Sequence, residues 1–363
     1  MENDKYLMLA INGLPPETQK IIRLADGIIG ITKRLPSMTA SEISAVTGMP
    51  PKMAARTAEA MRGYEEKGRR EEERLEEIGF RMVAVGSVEY PALLRHIPDP
   101  PPLLFARGSL PSPETPCIAV VGARKADAYG REAAFRIGKG LGESSCCVVS
   151  GMARGIDGAS HWGCLAGGGS TVAVLGSGPD VVYPPEHRDL FERICKSGCV
   201  ITEHPPGTPP LKQNFPRRNR IIAGMSLATT VVQADLRSGS LSTANHALEF
   251  GREVMAVPGS IFSQLSRGVH SLLMDGAHPV ETGLDILRHL GIAEEPPQER
   301  VRPRAADLDG DVRRIYEMCD GLNRISSMAD ETSMPADEIT AALSLLEAKG
   351  LVIRRPGGIF IKT

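Results

Sequence analysis

An arginine cluster beside a phenylalanine carries the strongest chemical signal in the chain. Arg217, Arg218 and Arg220 follow Phe215 and Pro216. A guanidinium group binds phosphate and an aromatic ring stacks on an unpaired base, so this combination is typical of proteins that bind single-stranded nucleic acid. Arginines that bond loop carbonyls and distant acids would show the same spacing. The stretch alone does not decide between a binding site and a structural role.

Helix electrostatics make this cluster unusual. A proline followed by a run without helix breakers predicts a helix that begins near Pro216 and carries the three arginines on its first turn. Cations are unfavourable at the positive end of a helix dipole, by about 0.3–1 kcal/mol each. Lys212 adds a fourth cation, and residues 205–230 contain no Asp or Glu. The sequence therefore predicts an anion here, supplied by another part of the fold or by a ligand.

Glycine and arginine recur together in other short segments. Glycine lets backbone amides approach a phosphate closely, and a following helix N-terminus points its N–H groups at the anion. Arg124, Arg154 and Arg237 stand beside three such segments. The four segments are residues 122–124, 150–157, 176–178 and 238–240. None has the spacing of a dinucleotide-binding fingerprint or of an ATP-binding loop, so no cofactor is expected.

Apolar runs of strand length alternate with helical stretches from Cys117 onward. Their apolar residues are continuous, which indicates strands buried on both faces, so the predicted fold class is α/β, with a parallel sheet sandwiched by helices. Ligands bind such sheets where strands end and the next helices begin. The predicted strands are residues 118–121, 147–149, 171–175, 199–201, 229–232 and 253–257, with an earlier strand at 81–85.

The length of 363 residues predicts two or three domains. Residues 1–75 read as a small helical domain, similar to SAM or helix-hairpin-helix modules, although the second glycine usual in such hairpins is missing. Residues 76–292 form the sheet domain, and the charged, proline-bearing residues 293–304 form a linker. Residues 305–363 predict three helices and a hairpin, a winged helix.

The predicted winged helix is a poor candidate for reading a DNA groove. Its third helix, residues 335–349, carries Asp337, Glu338 and Glu347 against one lysine, so phosphate would be repelled. A protein-contact or regulatory role is favoured. Weak DNA binding stays open because Arg354, Arg355 and Lys362 flank the predicted wing.

Composition limits where a nucleic acid could bind. A formal net charge of −2 excludes a surface coated with positive charge, so the site must be a local patch. Seven cysteines without a C-x-x-C pair indicate a reducing compartment and no structural zinc. No apolar stretch approaches the ~20 residues that span a bilayer, and the polar start is unlike a signal peptide. We expect a cytoplasmic protein with no membrane insertion.

Eight motifs occur in order along the sheet domain, at residues 90–94, 97–101, 121–124, 150–157, 183–184, 214–224, 237–240 and 257–260. Together they resemble the DNA-processing protein DprA (Smf) family. The resemblance covers residues 75–287 and implies an extended Rossmann-like domain that binds single-stranded DNA irrespective of sequence, forms homodimers and loads RecA recombinase during natural transformation. Ala123 is one departure, because the family more often has serine there.

The glycine turns and the arginine stretch together give the expected DNA-binding residues. No metal site and no catalytic residue are expected. The expected single-stranded DNA-binding residues are Gly122, Arg124, Ser150, Gly151, Arg154, Gly155, Lys212, Asn214, Phe215, Arg217, Arg218, Asn219, Arg220, Arg237, Ser238, Gly239 and Ser240.

A hydrolase of nucleotide N-glycosidic bonds is the alternative. The same sheet architecture resembles that of phosphoribohydrolases, whose Gly-Gly-x-Gly-Thr turn is followed closely by a catalytic glutamate. The corresponding residues 238–243 are followed by Ala244, Asn245 and His246, so the glutamate is missing from its expected place. Asp157 and His161 lie four residues apart, near Ser150 in sequence, and this spacing is compatible with a nucleophile and its base. A structural pair is favoured, in which Asp157 caps a helix and forms a hydrogen bond with His161.

Apolar residues near the end of the sheet domain predict a homodimer interface. Completion of the domain core would explain the same pattern. The residues are Leu272, Leu273, Met274, Val280, Leu284, Ile286 and Leu287.

Overall fold

The structure is a computed structural model that describes residues 2–293, 308, 310–348, 351–355 and 359–362. The chain divides into two compact units, Met1–Ala293 and Glu294–Thr363. Apart from residue 293, the predicted linker at 293–304 lies outside the described residues. The division of the first unit into a helical domain and a sheet domain stays a prediction.

Five helices begin the first unit and pack on one another and on the sheet. Pro16 and Pro51 open two of them, where the missing N–H costs nothing. Apolar side chains including Ile31 and Ile43 form a core of their own, whereas Tyr6 packs against the sheet. The helices are α1 (Glu2–Asn12), α2 (Pro16–Ile29), α3 (Ala40–Thr47), α4 (Pro51–Met61) and α5 (Tyr64–Glu77).

The rest of this unit is built on a sheet of nine strands, in the order β1-β2-β6-β5-β4-β3-β7-β8-β9. The pairs β1–β2 and β2–β6 are antiparallel, and the other neighbours are parallel. The strands are β1 (Arg81–Ala84), β2 (Leu103–Gly108), β3 (Cys117–Val121), β4 (Cys147–Ser150), β5 (Thr171–Val174), β6 (Cys199–Thr202), β7 (Ala228–Val231), β8 (Glu253–Ala256) and β9 (His278–Pro279).

Helices cover both faces of the sheet. Successive residues of β3 alternate between two cores, since Ala119 lies in the core with Ile221 and Ala244, whereas Ile118 lies in the core with Ala134 and Ile286. The α/β fold class, with a Rossmann-like parallel sheet between helices, is therefore confirmed. These helices are α6 (Ala92–Arg95), α7 (Ala128–Glu143), α8 (Ile156–Ala166), α9 (Arg188–Ser197), α10 (Asn214–Gly224), α11 (Ser240–Glu249), α12 (Arg267–Met274) and α13 (Gly283–His289).

The arginine helix α10 begins earlier than predicted. It starts at Asn214, so Pro216 is its third residue and the arginines lie on its second turn. Proline is tolerated there because the first four N–H groups of a helix have no partner within it. The predicted conflict between the helix dipole and arginines on the first turn is therefore wrong.

Among its described residues, the second unit contains three helices and a three-stranded antiparallel sheet in the order β10-β12-β11. Ile315, Met328 and Leu343 meet Phe360 in its core. Its assignment as a winged helix stays a prediction, and residues 349 and 356–358 lie outside the described residues. The elements are α14 (Gly310–Glu317), β10 (Asp320–Arg324), α15 (Ile325–Thr332), α16 (Ala336–Ala348), β11 (Val352–Arg355) and β12 (Ile359–Lys362).

Most of the residues expected at a homodimer interface belong to the core. Leu272, Val280, Ile286 and Leu287 are buried within the first unit. Met274 is strongly exposed, at 82%. The apolar density therefore serves the core, and the homodimer stays a prediction that rests on the family resemblance.

Two absences hold for the described part of the chain. None of its helices combines the length and apolarity that crossing a bilayer requires. No group of three or more His, Cys, Asp or Glu among its residues has the arrangement of a metal site.

Candidate nucleic-acid interface

A cleft of about 370 Å³ opens where the turns after β3, β4 and β7 meet helix α10. It brings together residues that are more than 100 positions apart in sequence, and about half of the expected DNA-binding residues line it. Those residues are Gly122, Arg124, Lys212, Phe215, Arg218, Asn219, Ser238, Gly239 and Ser240.

The N-terminus of α11 faces this cleft. Its first turn contains no acidic residue, so the positive end of the helix dipole is available to an anion. Asn219 fixes this end of α11 to α10, because its Nδ2 donates to the Gly239 carbonyl (3.1 Å) and to Ser242 Oγ (2.8 Å). The arrangement favours a phosphate group above the 238–240 turn.

Three side chains cluster at the rim of the cleft. The Arg124 guanidinium lies 4.6 Å from the centre of the Phe215 ring, and the Tyr183 ring centre lies 5.7 Å from that of Phe215, with the two rings tilted by 43°. Arg124 is exposed and Phe215 is partly exposed. A smaller depression on the same side is lined by Arg124, Arg154, Tyr183 and Phe215. One edge of the site therefore combines two aromatic rings with two guanidinium groups.

Arg218 lies at the base of the cleft and is 3% exposed. Its Nη1 donates to the carbonyls of Gly151 (2.8 Å) and Val174. A Cβ at residue 151 would lie 2.3 Å from Arg218 Nη2, so only glycine leaves room for the guanidinium. Burial lowers the pKa of Arg218 to about 10, and the nearby Asp157 carboxylate opposes this shift. Arg218 therefore joins the ends of two strands as a cation.

Arg220 is neutralised within the fold. Its guanidinium donates to both carboxylate oxygens of Glu203, at 3.0 and 2.7 Å, and to Asp99 at 3.3 Å. Arg217 lies 3.6 Å from the same Glu203. Asp99 also pairs with Arg23 of α2 at 2.5 Å. The expected anion thus comes from other parts of the fold for Arg220, and no ligand is required there.

The remaining expected cations point to solvent. Lys212, Arg154 and Arg237 are exposed. Arg154 pairs with Glu186, and both side chains are about half exposed, at 53% and 50%. An exposed ion pair is worth only about 0–1 kcal/mol. Arg154 can therefore exchange Glu186 for a phosphate at little cost.

Comparison with known proteins decides the family. Residues 81–291 match the family described as DNA recombination-mediator protein A, which is more than half of the chain. The chain belongs to this family. The predicted DprA (Smf) resemblance is therefore confirmed.

Related proteins agree with this membership. DNA processing protein DprA of Streptococcus pneumoniae is 45% identical over 198 residues, which are 54% of this chain and 70% of that protein. The X-ray structure of DprA from Streptococcus pneumoniae matches with a TM-score of 0.68 at 34% identity, covering 78% of this chain and 97% of that one. A DprA structure from Helicobacter pylori, described for its single-stranded DNA binding mode, matches with a TM-score of 0.52 at 24% identity and covers 58% and 95% of the two chains. This last similarity shows the fold alone.

Three of the expected binding residues do not line the cleft and instead hold neighbouring segments of the fold together. Ser150 is buried and its Oγ donates to the Val120 carbonyl at 2.6 Å. Asn214 Nδ2 donates to the Gly176 carbonyl at 3.1 Å. Gly155 has a φ of +77°, and a Cβ there would lie 2.3 Å from the carbonyl oxygen of the 122–124 turn. Their roles in DNA binding stay predictions.

The predicted bond between Asp157 and His161 is wrong. His161 Nδ1 lies 2.6 Å from Thr171 Oγ1, whose hydroxyl donates to the Val148 carbonyl. Nδ1 therefore carries the proton in this hydrogen bond, and burial lowers the pKa of His161 to about 3. Asp157 instead accepts from the Ala153 amide at 3.4 Å, and burial raises the pKa of its carboxyl group. The two side chains do not form a nucleophile–base pair.

Tyr183 is the rim residue that sequence reasoning did not include in the site. The Tyr183-Pro184 motif contributed to the family resemblance, but it gave no sign of stacking on Phe215. Only the fold brings the segment after β5 to the beginning of α10.

Proposed function

We propose that this chain binds single-stranded DNA in the cleft, irrespective of sequence, and that it is not an enzyme. The observation that carries the proposal is the cluster of Arg124, Phe215 and Tyr183 at the rim, beside the N-terminus of α11. Aromatic faces accept unpaired bases, whereas guanidinium groups and backbone amides accept phosphates. One site therefore offers partners for both parts of a nucleotide.

Single strands should bind far better than duplexes at this site. A duplex presents its phosphates but hides the base faces that Phe215 and Tyr183 would contact. Little dependence on sequence is expected, because no paired side chains suited to reading base edges accompany the arginines.

Family membership supports the cellular part of the proposal. The relatives are named as DNA-processing proteins, and the Helicobacter pylori relative is described as binding single-stranded DNA. We propose that this chain protects incoming single strands in the cytoplasm, forms a homodimer and loads RecA recombinase during natural transformation. Sedimentation that shows a monomer at micromolar concentration would contradict the homodimer.

Fluorescence anisotropy with labelled single-stranded and duplex oligonucleotides of equal length tests the binding proposal. Phe215→Ala should weaken single-strand binding by about 5- to 150-fold, the range for loss of one base–aromatic stack. Arg70→Ala serves as a control, since Arg70 is exposed on α5 and does not line the cleft. Equal affinity of the wild-type protein for both DNA forms would overturn the proposal.

The alternative hydrolase is tested with the same purified protein. Asp157 is the sole carboxylate among the described residues that line the cleft, and it lies beside the buried Arg218. Incubation with nucleoside monophosphates should release no free base. Release of free base at a rate proportional to the protein concentration would favour the hydrolase.

A further inference from the structure

A second and larger groove lies on the other side of the 151–158 turn. Its volume is about 590 Å³, and Phe135, Trp162 and His187 give it an aromatic lining. Gly155 and Gly158 of the turn form one wall. None of these three aromatic residues belongs to the cleft described above.

Two of the three rings contact neighbouring groups of the fold. The Arg193 guanidinium lies 5.3 Å from the centre of the Trp162 ring. His187 Nδ1 lies 2.9 Å from the Met152 carbonyl oxygen. A Cβ on Gly158 would lie 2.8 Å from His187 Cε1, so the glycine makes room for the imidazole. Trp162 remains partly exposed in this setting.

The 151–158 turn connects the cleft to this groove. Ala153 and Asp157 line the cleft, Arg154 lines the depression beside Tyr183, and Gly155 and Gly158 line the groove. A strand that leaves the cleft past Phe215 would therefore cross Arg154 and then reach Trp162. Arg154 can accept a phosphate on this path because its ion pair with Glu186 is exposed.

The charges around the groove determine what it can contribute. Arg131 and Glu132 both line it. Arg193 pairs with Asp189 at 3.0 Å. Glu132 pairs with Arg136 at 2.6 Å, and Arg131 Nη1 donates to the Ala126 carbonyl. The aromatic faces are the contacts that distinguish this groove, and base stacking depends only weakly on the identity of the base.

We propose that this groove is a second stacking site for the same single strand, with Trp162 as its platform. This inference rests on the proposed function. The partner is an unpaired nucleobase on the part of the strand that extends beyond the cleft. The groove adds affinity for long strands through base stacking on Trp162.

Intrinsic fluorescence tests the proposal directly, because Trp162 is the single tryptophan of the chain. Oligothymidylates of about 4 and about 20 nucleotides bracket the short and long cases. The long strand should quench Trp162 fluorescence, and the short strand should bind in the cleft without quenching. Unchanged fluorescence at saturation with the long strand would overturn the proposal.

Substitution gives the second measurement, with labelled oligothymidylates and anisotropy detection. Trp162→Leu should weaken binding of the long strand by about 5- to 150-fold and leave the short strand and the salt slope unchanged. Trp162→Phe, which keeps an aromatic face, should lose less affinity for the long strand. Circular dichroism checks that both variants are folded. If the leucine variant is unfolded, the affinity of the phenylalanine variant and the fluorescence of the wild-type protein decide whether Trp162 stacks on the strand.

The outcomes separate this inference from the proposed function. If the long strand binds but Trp162→Leu binds it with wild-type affinity, the second stacking site is overturned and the cleft stands. If neither strand binds the wild-type protein, the proposed function and this inference are both overturned.

Discussion

The arginines of the cleft differ in burial, and burial separates their roles. Arg218 and Arg220 are nearly inaccessible and are held by carbonyls and carboxylates of the fold. Arg124, by contrast, is exposed beside Phe215. A phosphate can reach an exposed guanidinium without breaking buried bonds. We therefore assign the larger share of phosphate binding to Arg124, Arg154 and the exposed Lys212.

Replacement of Arg218 tests this division. Arg218→Ala should lower the free energy of unfolding by about 2–4 kcal/mol, because two buried carbonyls lose a charged donor and Asp157 loses its neighbouring cation. Arg217→Ala is the matched control and should change stability by less than about 1 kcal/mol, because Arg217 is a third exposed and its ion pair is long. Urea unfolding measures both. A shallower salt slope of DNA binding with unchanged stability in Arg218→Ala would contradict a structural role.

His161 should make stability depend on pH. Its pKa is about 3 in the folded chain and about 6.5 in the unfolded chain, so protons bind the unfolded state more strongly between these values. This contribution to stability is present above pH ~6.5 and is lost as the pH falls. Between pH ~6.5 and pH ~5, wild-type protein should lose about 2 kcal/mol more than His161→Gln. Urea unfolding at both pH values measures the difference, and equal losses would show that His161 takes up its proton in the folded state.

Sequence patterns could identify the arginines but not their partners. Asp99 and Glu203 lie 121 and 17 residues from Arg220, so only the fold shows that they meet it. The same applies to His161. Its partner in the fold is Thr171, whereas the sequence offered Asp157 as a nearer partner. Local spacing indicates residue types that bind phosphate, whereas the accessibility of each side chain is set by tertiary packing.

At the level of elements, strands with continuous apolar residues were predicted well. The runs that became β3 to β8 are buried on both faces, and this burial is what their composition indicates. Strand β2 was missed because it follows the proline run at 98–102, and β9 was missed because it is two residues long. The start of α10 was misplaced by two residues, since proline tolerates several positions in the first turn.

An ion network of Arg23, Asp99, Glu203 and Arg220 connects helices α2 and α10 and should contribute strongly to stability. Glu203→Gln should lower the free energy of unfolding by about 3–5 kcal/mol, because it leaves Arg220 buried with a weakened counter-charge. Asp99→Asn should cost about 1 kcal/mol or less, since the Asp99 side chain is half exposed. Thermal and urea unfolding of both variants check this order. Equal losses of stability in the two variants would mean that burial does not determine how much each ion pair contributes to stability.

At the level of the whole molecule, binding must arise from a local patch. With a net charge of −2, the chain has no general attraction for nucleic acid. The fold nevertheless brings Arg124, Arg154 and Lys212 to the carboxyl edge of the sheet, and Arg237 lies in the connection between β7 and α11 at that edge. About four phosphate contacts would give a salt slope near −3, at roughly −0.7 per contact for single strands.

The salt dependence of single-strand binding tests the central claim most directly. Affinities of wild-type protein and Arg124→Ala for one oligonucleotide are measured across a series of salt concentrations, with the melting temperature of each protein. We expect a wild-type slope of about −3, a slope shallower by about 0.7 in Arg124→Ala, and equal melting temperatures. An unchanged slope in Arg124→Ala, or a wild-type affinity that does not depend on salt, would contradict phosphate binding at this cleft.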